Sequence, residues 1–526
     1  MIDLHYMIGA CWPWKIHSTR SQVKIPQQFQ ARNLRVTKPI ESVKPANNKM
    51  EEERKPKVSF PEAVAKIDPS DLAANLVDIS KLHGFQPEVQ LLKFVEYLGI
   101  TLSDVQFPWV NMFNDSPFPK LIHLIHVPLS QIPHPVYKTS VDWINRFRIT
   151  TLAAFVMWAS KHILTCLEEA KQQADHPKGA GGEIDAAQQP PPKSKSKVAI
   201  FVALAMVLRK KPKALAIVLP AMRVRRKYLG QDKLPFIVWM MAQASRYSLA
   251  VGLFSWVRNL LPLVDTYSPQ STDLIMQLVE KILSNPKARA LLVNGSVAKR
   301  SPRVIPPPSF EILLRLTFPV SSARVEATER FEAIYPLLKD VALAGIRGSE
   351  LMKQVTEEMF TLSLKLAGEE GNPPLAKEAT TIAIWSLTEN VDCFKLWERL
   401  YYTNKEASGA LLKRLVGEWK DHYPKLSSSP GDKLTLNRTM LNFMLMNEKA
   451  ITEGGGGGAN CSLYKEAHKS CIVISERLSR GSGCLKGVVI AAVVLVAAVL
   501  LSFNLEATSV LQKLVVLNAI IKTLTN

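Results

Sequence analysis

The chain reads as an all-α protein: an α-solenoid-like stack of helical hairpins, in the manner of HEAT and armadillo arrays, followed by a C-terminal transmembrane helix. Three observations predict this. Apolar residues recur at a 3.6-residue period through most of residues 58–453. Prolines interrupt that period at spacings that suit helices of roughly 12–20 residues, and strand-like alternation between hairpin signals is nearly lacking. Finally, Leu485–Leu505 (LKGVVIAAVVLVAAVLLSFNL) carries no charge from Gly487 to Phe503. As a helix those residues reach about 25 Å, and flanking residues extend them toward a ~30 Å hydrocarbon core. Gly487, Val488, Ile490, Val494, Leu495, Val499, Leu500 and Phe503 are the expected span residues, with Lys486 snorkelling at one end and Asn504 and Glu506 closing the other.

Taken in order, residues 1–56 form a basic, acid-poor tail without an apolar period, better read as disordered than as a transit peptide because no amphipathic helix is evident. An N-terminal helical region follows, 57–172. Asp68-Pro69-Ser70 is a helix start, Pro87 opens EVQLLKFVEYLG with Gly99 beyond its end, and five prolines between 117 and 137 forbid long elements there. Thr139–Asp142 starts a long helix to about Gln172, with Trp143, Phe147, Phe155 and Trp158 as core anchors. Residues 173–195 (Gly, Ala, Gln, Pro, Lys) form a flexible linker. A second helical block spans 196–453, broken at Pro212, Pro235, Pro269, Pro286, Pro306–Pro308 and Pro373-Pro374. Within it DLIMQLVEKIL sets Leu274, Ile275, Leu278, Val279, Ile282 and Leu283 on one stripe. A glycine hinge at 454–458, a juxtamembrane helix in 459–484, the span at 485–505 and an amphipathic tail at 506–526 complete the chain.

Composition narrows the function. With 526 residues, 47% of them hydrophobic, the chain can bury more than one core. A formal charge of +20 implies an anionic partner: phospholipid, nucleic acid or an acidic protein. Six cysteines without paired spacing fit a reducing compartment. Arg477, Arg480 and Lys486 precede the span, so the positive-inside bias places the bulk of the chain in the cytosol, and the sequons at Asn114, Asn294, Asn437 and Asn460 should stay unmodified.

Catalytic signals are scarce, and the chain reads as a non-enzyme without cofactor or metal. The glycine run lacks the Gly-Lys-Ser/Thr ending of a phosphate loop. His123 and His126 lack a third ligand, and Cys484, close to the span, is a candidate palmitoylation site. The strongest signal is charge: Arg209, Lys210, Lys211, Lys213, Arg223, Arg225, Arg226 and Lys227 fall within residues 209–227, which contain no acid. They flank VAIFVALAMVL and ALAIVLPAM, and are expected to contact an anionic lipid surface at ~1 kcal/mol per engaged cation. RNA binding is the rival reading, but no aromatic platform accompanies the tract. A solvated hairpin end is the bland one.

The segments VSFPEAVAKIDPSDLAANLVDIS, VPLSQIPHPVYKTSVDWIN, VAIFVALAMVLRKKPKALAIVLP, GQDKLPFIVWMMAQAS, DLIMQLVEKILSNPKARALLVNG and PPPSFEILLRLTFPVSSARVEATERFEAIYPLLKDVALAG resemble the plant branch of the transmembrane protein 214 family. The likeness runs from about Lys57 to the span and leaves out residues 1–56; KLIHLIHVPLS carries a few extra residues before VPLS. The resemblance implies an endoplasmic-reticulum membrane protein with a large cytosolic helical region. Its animal members are associated with stress-induced apoptosis as adaptors that dock a caspase, whereas plants lack true caspases. The family supplies no catalytic residue. The chain is therefore expected to act as an adaptor or scaffold whose partners are the membrane's lipids and cytosolic proteins. An RNA- or lipid-tethering protein is the alternative, and a membrane-associated enzyme a more distant one.

Overall fold

The computed structural model describes residues 58–105, 109–114, 118–175, 197–297, 303–453 and 459–480, and among these every regular element is helical. The expected tail, linker, glycine hinge, membrane span and C-terminal tail lie wholly or almost wholly outside the described residues. The chain divides into two compact units, the first ending at Thr317 but including Val325–Ala344, the second made of Phe318–Arg324 and the residues from Gly345 onward.

In the first unit the helices are α1 (Phe60–Ala65), α2 (Pro69–Leu82), α3 (Pro87–Thr101), α4 (Val110–Asn114), α5 (Leu121–Leu124), α6 (His134–Ile144), α7 (Ile149–Asp175), α8 (Lys197–Lys210), α9 (Lys213–Val224), α10 (Leu234–Ser245), α11 (Leu249–Asn259), α12 (Pro269–Leu283), α13 (Ala288–Val297), α14 (Pro307–Thr317) and α15 (Glu326–Leu343). Local chemistry sets several starts. The Asp68 carboxylate accepts from the Ser70 and Asp71 amides at 2.6 and 3.1 Å, and Ser268 caps α12. Prolines occupy the first turns of α2, α3, α10 and α12, where their missing N–H costs no intrahelical bond. Gly99 does not end α3, which runs on to Thr101.

The core explains the rest. Every residue from Val198 to Leu208 in α8, and all of α10, is buried. A helix apolar on all sides must be enclosed, and α8 is: α3, α6, α7, α9 and α10 all pack against it. Helices far apart in sequence thus meet, unlike the neighbour-only packing of a solenoid. The helices before and after the expected 173–195 linker share this one unit, and the division between units falls instead near 318–345. Among the described residues one helix, Ile149–Gln173, is long and apolar enough to cross a bilayer, yet Leu152, Phe155, Val156, Ala159 and Ile163 are buried within the unit, and it reads as a core helix.

The long helix expected from Thr139 is two helices, separated at Asn145–Arg148. No proline or glycine marks that break. Trp143 is held by α2 and α3, its indole donating to Ser80 Oγ at 2.9 Å and its ring 5.5 Å from that of Phe94, so tertiary packing sets the α6 direction.

The second unit comprises α16 (Glu350–Ala367), α17 (Pro373–Glu389), α18 (Asp392–Leu400), α19 (Lys405–Gly417), α20 (Trp419–Leu426), α21 (Pro430–Glu453) and α22 (Ala459–Arg480). Tyr401 stacks on Phe443 at 4.2 Å and donates to Asn447 Oδ1 at 2.9 Å, while the Trp397 indole donates to Ser408 Oγ at 3.0 Å. Cys471, Ile474 and Leu478 bury α22 against this cluster, and Arg477 donates to the Val416 carbonyl. The juxtamembrane helix is thus an integral member of the second unit.

Helices α10 and α11 approach so closely at Gly252 that a Cβ there would lie 2.5 Å from Ser245 Cβ and 3.2 Å from Ile282 Cδ1. Gly252→Ala is expected to cost about 1–3 kcal/mol through overpacking. Chemical denaturation checks this; an unchanged midpoint would mean that the two helices separate freely.

Candidate membrane-facing basic surface

The eight cations of residues 209–227 do not form one surface. Arg209, at the end of α8, turns inward: its Nη2 donates to Gln243 Oε1 at 2.8 Å and to the Ile125 carbonyl at 3.3 Å. Burial pulls its pKa below the usual guanidinium value, and Arg246 adds repulsion in the same direction against an opposing effect of Tyr137. Gln243 is fully buried and its amide donates to the carbonyls of Ile125 and Val127, both at 3.1 Å. Arg209 is therefore a structural residue, placed where the proline-broken segment after α5 would leave carbonyls unsatisfied.

Lys210 and Lys227 also have partners. Lys210 Nζ lies 3.3 Å from Asp142 Oδ1 of α6, and Lys227 pairs with Glu168 of α7, a carboxylate shared with Lys233 at 3.4 Å. The expectation that no acid lies close to the tract holds along the sequence but not in space. Asp142 and Glu168 precede their partners by 68 and 59 residues, and only the fold brings them near. What remains is a corner at α9 and the turn after it. Lys213, Arg223, Arg225 and Arg226 are exposed and Lys211 is half-buried, with no carboxylate paired to any of them among the described residues.

Other candidate sites gain little. His123 and His126 are exposed, and no group of three His, Cys, Asp or Glu side chains gathers among the described residues. A cleft of about 510 Å³ in the second unit is lined by Tyr423, Ser427, Ser429, Lys433, Asn437 and Ser479 among others, without a carboxylate, imidazole or thiol. Cys393 and Cys471 are buried, which pushes both thiols up to about 12 and away from reactivity. Cys484 and the expected span residues lie outside the described residues.

The two kinds of cation should behave differently. Arg209→Ala removes charged hydrogen bonds and strands Gln243, and is expected to cost about 2–3 kcal/mol. Arg225→Ala should stay within about 0.5 kcal/mol of the unsubstituted chain. Urea unfolding of both variants checks this, and equal losses would erase the distinction.

A profile described as "TMEM214, C-terminal, caspase 4 activator" matches residues 197–520. Human transmembrane protein 214 is 24% identical over 220 residues, covering 41% of this chain and 29% of that protein. The Xenopus laevis transmembrane protein 214-B is 24% identical over 284 residues, 53% of this chain and 38% of that protein. The chain thus aligns with about a third of the length of these curated relatives. No solved structure matches the chain. Because the profile covers more than half of the sequence, including α8 to α22 and the apolar run after them, the chain belongs to the TMEM214 family.

Proposed function

We propose that this protein is a non-enzymatic adaptor anchored in the endoplasmic-reticulum membrane, its helical units facing the cytosol and holding partner proteins there in stress or cell-death signalling. The observation that carries the reading is the extent of the family match. Residues 197–520 contain most of the first unit's core, nearly all of the second unit, and the charge-free stretch Gly487–Phe503 in one continuous region. The description of that region as a caspase 4 activator makes a protein partner the natural ligand. The buried polar groups support a scaffold: Ser160 with Tyr228, Trp397 with Ser408 and Tyr401 with Asn447 hold helices to one another. The exposed faces of the packed helices offer a surface on which a partner can dock without a deep pocket.

Truncation after Gly483 is expected to move most of the protein from the membrane pellet to the soluble fraction, and protease added to sealed microsomes should digest the helical units of the intact chain. Proximity labelling with the full chain should mark cytosolic proteins that the truncated chain loses. A truncated chain that still pellets quantitatively would displace the anchor from residues 485–505, and glycosylation of Asn437 would place the second unit on the lumenal side.

A further inference from the structure

Helix α9 has a second apolar face. Leu215, Val218, Leu219 and Met222 are buried, and the helix packs on α7, α8 and α11. On the opposite side, Lys213, Ile217, Pro220 and Val224 fall within an arc of about 60° at 3.6 residues per turn. Pro220 is exposed, Ile217 is 40% exposed and Val224 74%, and Leu229, just past the helix, is 44% exposed. Arg223, Arg225 and Arg226 border this stripe, none of them with a carboxylate partner among the described residues. An aliphatic stripe edged by cations is the pattern of a helix lying in a membrane interface.

A second observation comes from α11, which packs on α9. Arg258, in its last turn, lies over the Phe254 ring at 5.2 Å, and its Nε is buried without a hydrogen-bond partner. The neighbouring Asn259 Oδ1 is likewise unpartnered. Burial lowers the Arg258 pKa, and the charge of Arg223 lowers it further. Arg258 and Arg223 thus stand on two helices that pack together, each without a carboxylate partner among the described residues. A phosphate close to both would offset their like charge and accept from guanidinium donors.

We propose that this face docks on an anionic bilayer, with Ile217, Pro220, Val224 and Leu229 entering the headgroup layer while Lys213, Arg223, Arg225, Arg226 and Arg258 engage lipid phosphates. The proposal rests on the membrane reading above and deepens it: four of the eight cations of the tract meet lipid, together with Arg258 from outside it, while Arg209, Lys210 and Lys227 have internal partners and Lys211 is half-buried. Nucleic acid suits the face less well, because its exposed apolar groups are aliphatic and offer no platform for base stacking.

The test uses the full chain in vesicles of phosphatidylcholine, with or without phosphatidylserine, followed by hydrogen–deuterium exchange across residues 213–230. Phosphatidylserine is expected to slow exchange in this segment on the order of tenfold, with the effect fading at high salt. Combined Arg223→Glu, Arg225→Glu and Arg226→Glu should abolish the protection, and Ile217→Asn with Val224→Asn should weaken it, while α10 exchanges as before and reports an intact fold. Equal exchange in both lipid mixtures, or protection surviving the triple substitution, would overturn the proposal. So would equal protection by soluble glycerophosphoserine, which needs no bilayer, or protection by RNA with none from phosphatidylserine. Resistance of the incorporated chain to alkaline extraction reports the anchor separately. Should incorporation fail, the anchor reading falls, and the same exchange comparison with vesicles added from outside still decides the docking face.

Discussion

The first unit depends on how its irregular segment is received inside an apolar core. Prolines deny residues 117–137 a long helix, yet Leu124, Ile125, Val127 and Leu129 are buried, and their backbone enters with them. A buried carbonyl without a donor costs about 1–3 kcal/mol. Side chains from three other helices meet that demand. Gln243 donates to Ile125 and Val127, Arg209 adds a donor to Ile125, and the Trp239 indole reaches Val127 at 2.9 Å. Gln277 accepts from the Leu121 amide at 2.8 Å. This polar seam lies among aromatic rings, with Trp239 stacked on Phe201 at 4.3 Å and on Phe236 at 5.4 Å. The seam gives α8 and α10 their register, since an apolar helix slides readily along another apolar surface and a three-way hydrogen-bond set does not.

From that constraint the charge distribution follows. Fixing Arg209 inward fixes the last turn of α8, which sends Lys210 to Asp142. The next helix then leaves Pro212 with its Leu215–Met222 side against α7 and α11, and the following turn brings Lys227 to Glu168. The other cations, exposed except for the half-buried Lys211, have no carboxylate partner among the described residues. A cluster that looks uniform along the chain is sorted by three-dimensional distance into residues that hold the unit together and residues available to something outside it.

That sorting marks the boundary of what the sequence made legible. The all-α class, the start at Asp68, the proline breaks and the α12 stripe were readable because each rests on neighbours within a few residues; Leu274, Ile275, Leu278, Val279 and Ile282 are all buried, Leu283 partly. Arg209 was not readable, because its partners lie 34 residues downstream and 84 upstream. The break at Asn145–Arg148 was hidden for the same reason, its cause being contacts of Trp143 with Ser80 and Phe94. The enclosure of α8 and α10 runs against the solenoid expectation, although VAIFVALAMVL and PFIVWMMA are apolar on every side, a pattern that favours enclosure over the one-sided burial of solenoid helices.

The second unit adds a mechanical consequence to the anchoring proposed for residues 485–505. Helix α22 does not hang from the body by the glycine run. It packs on α19 and α21, with Cys471, Ile474 and Leu478 buried and Arg477 bonded to the Val416 carbonyl. Residues 481–486 alone separate Arg480 from the charge-free stretch that begins at Gly487. Even fully extended, six residues reach only about 20 Å at ~3.3–3.6 Å each. A membrane span at Gly487–Phe503 would therefore hold the second unit within that distance of the bilayer, too near for a long flexible tether. It also changes what Arg477 contributes. Engaged with Val416, it acts first as a latch between α22 and the end of α19, and leaves Arg480 and Lys486 as the flanking charges of the stretch.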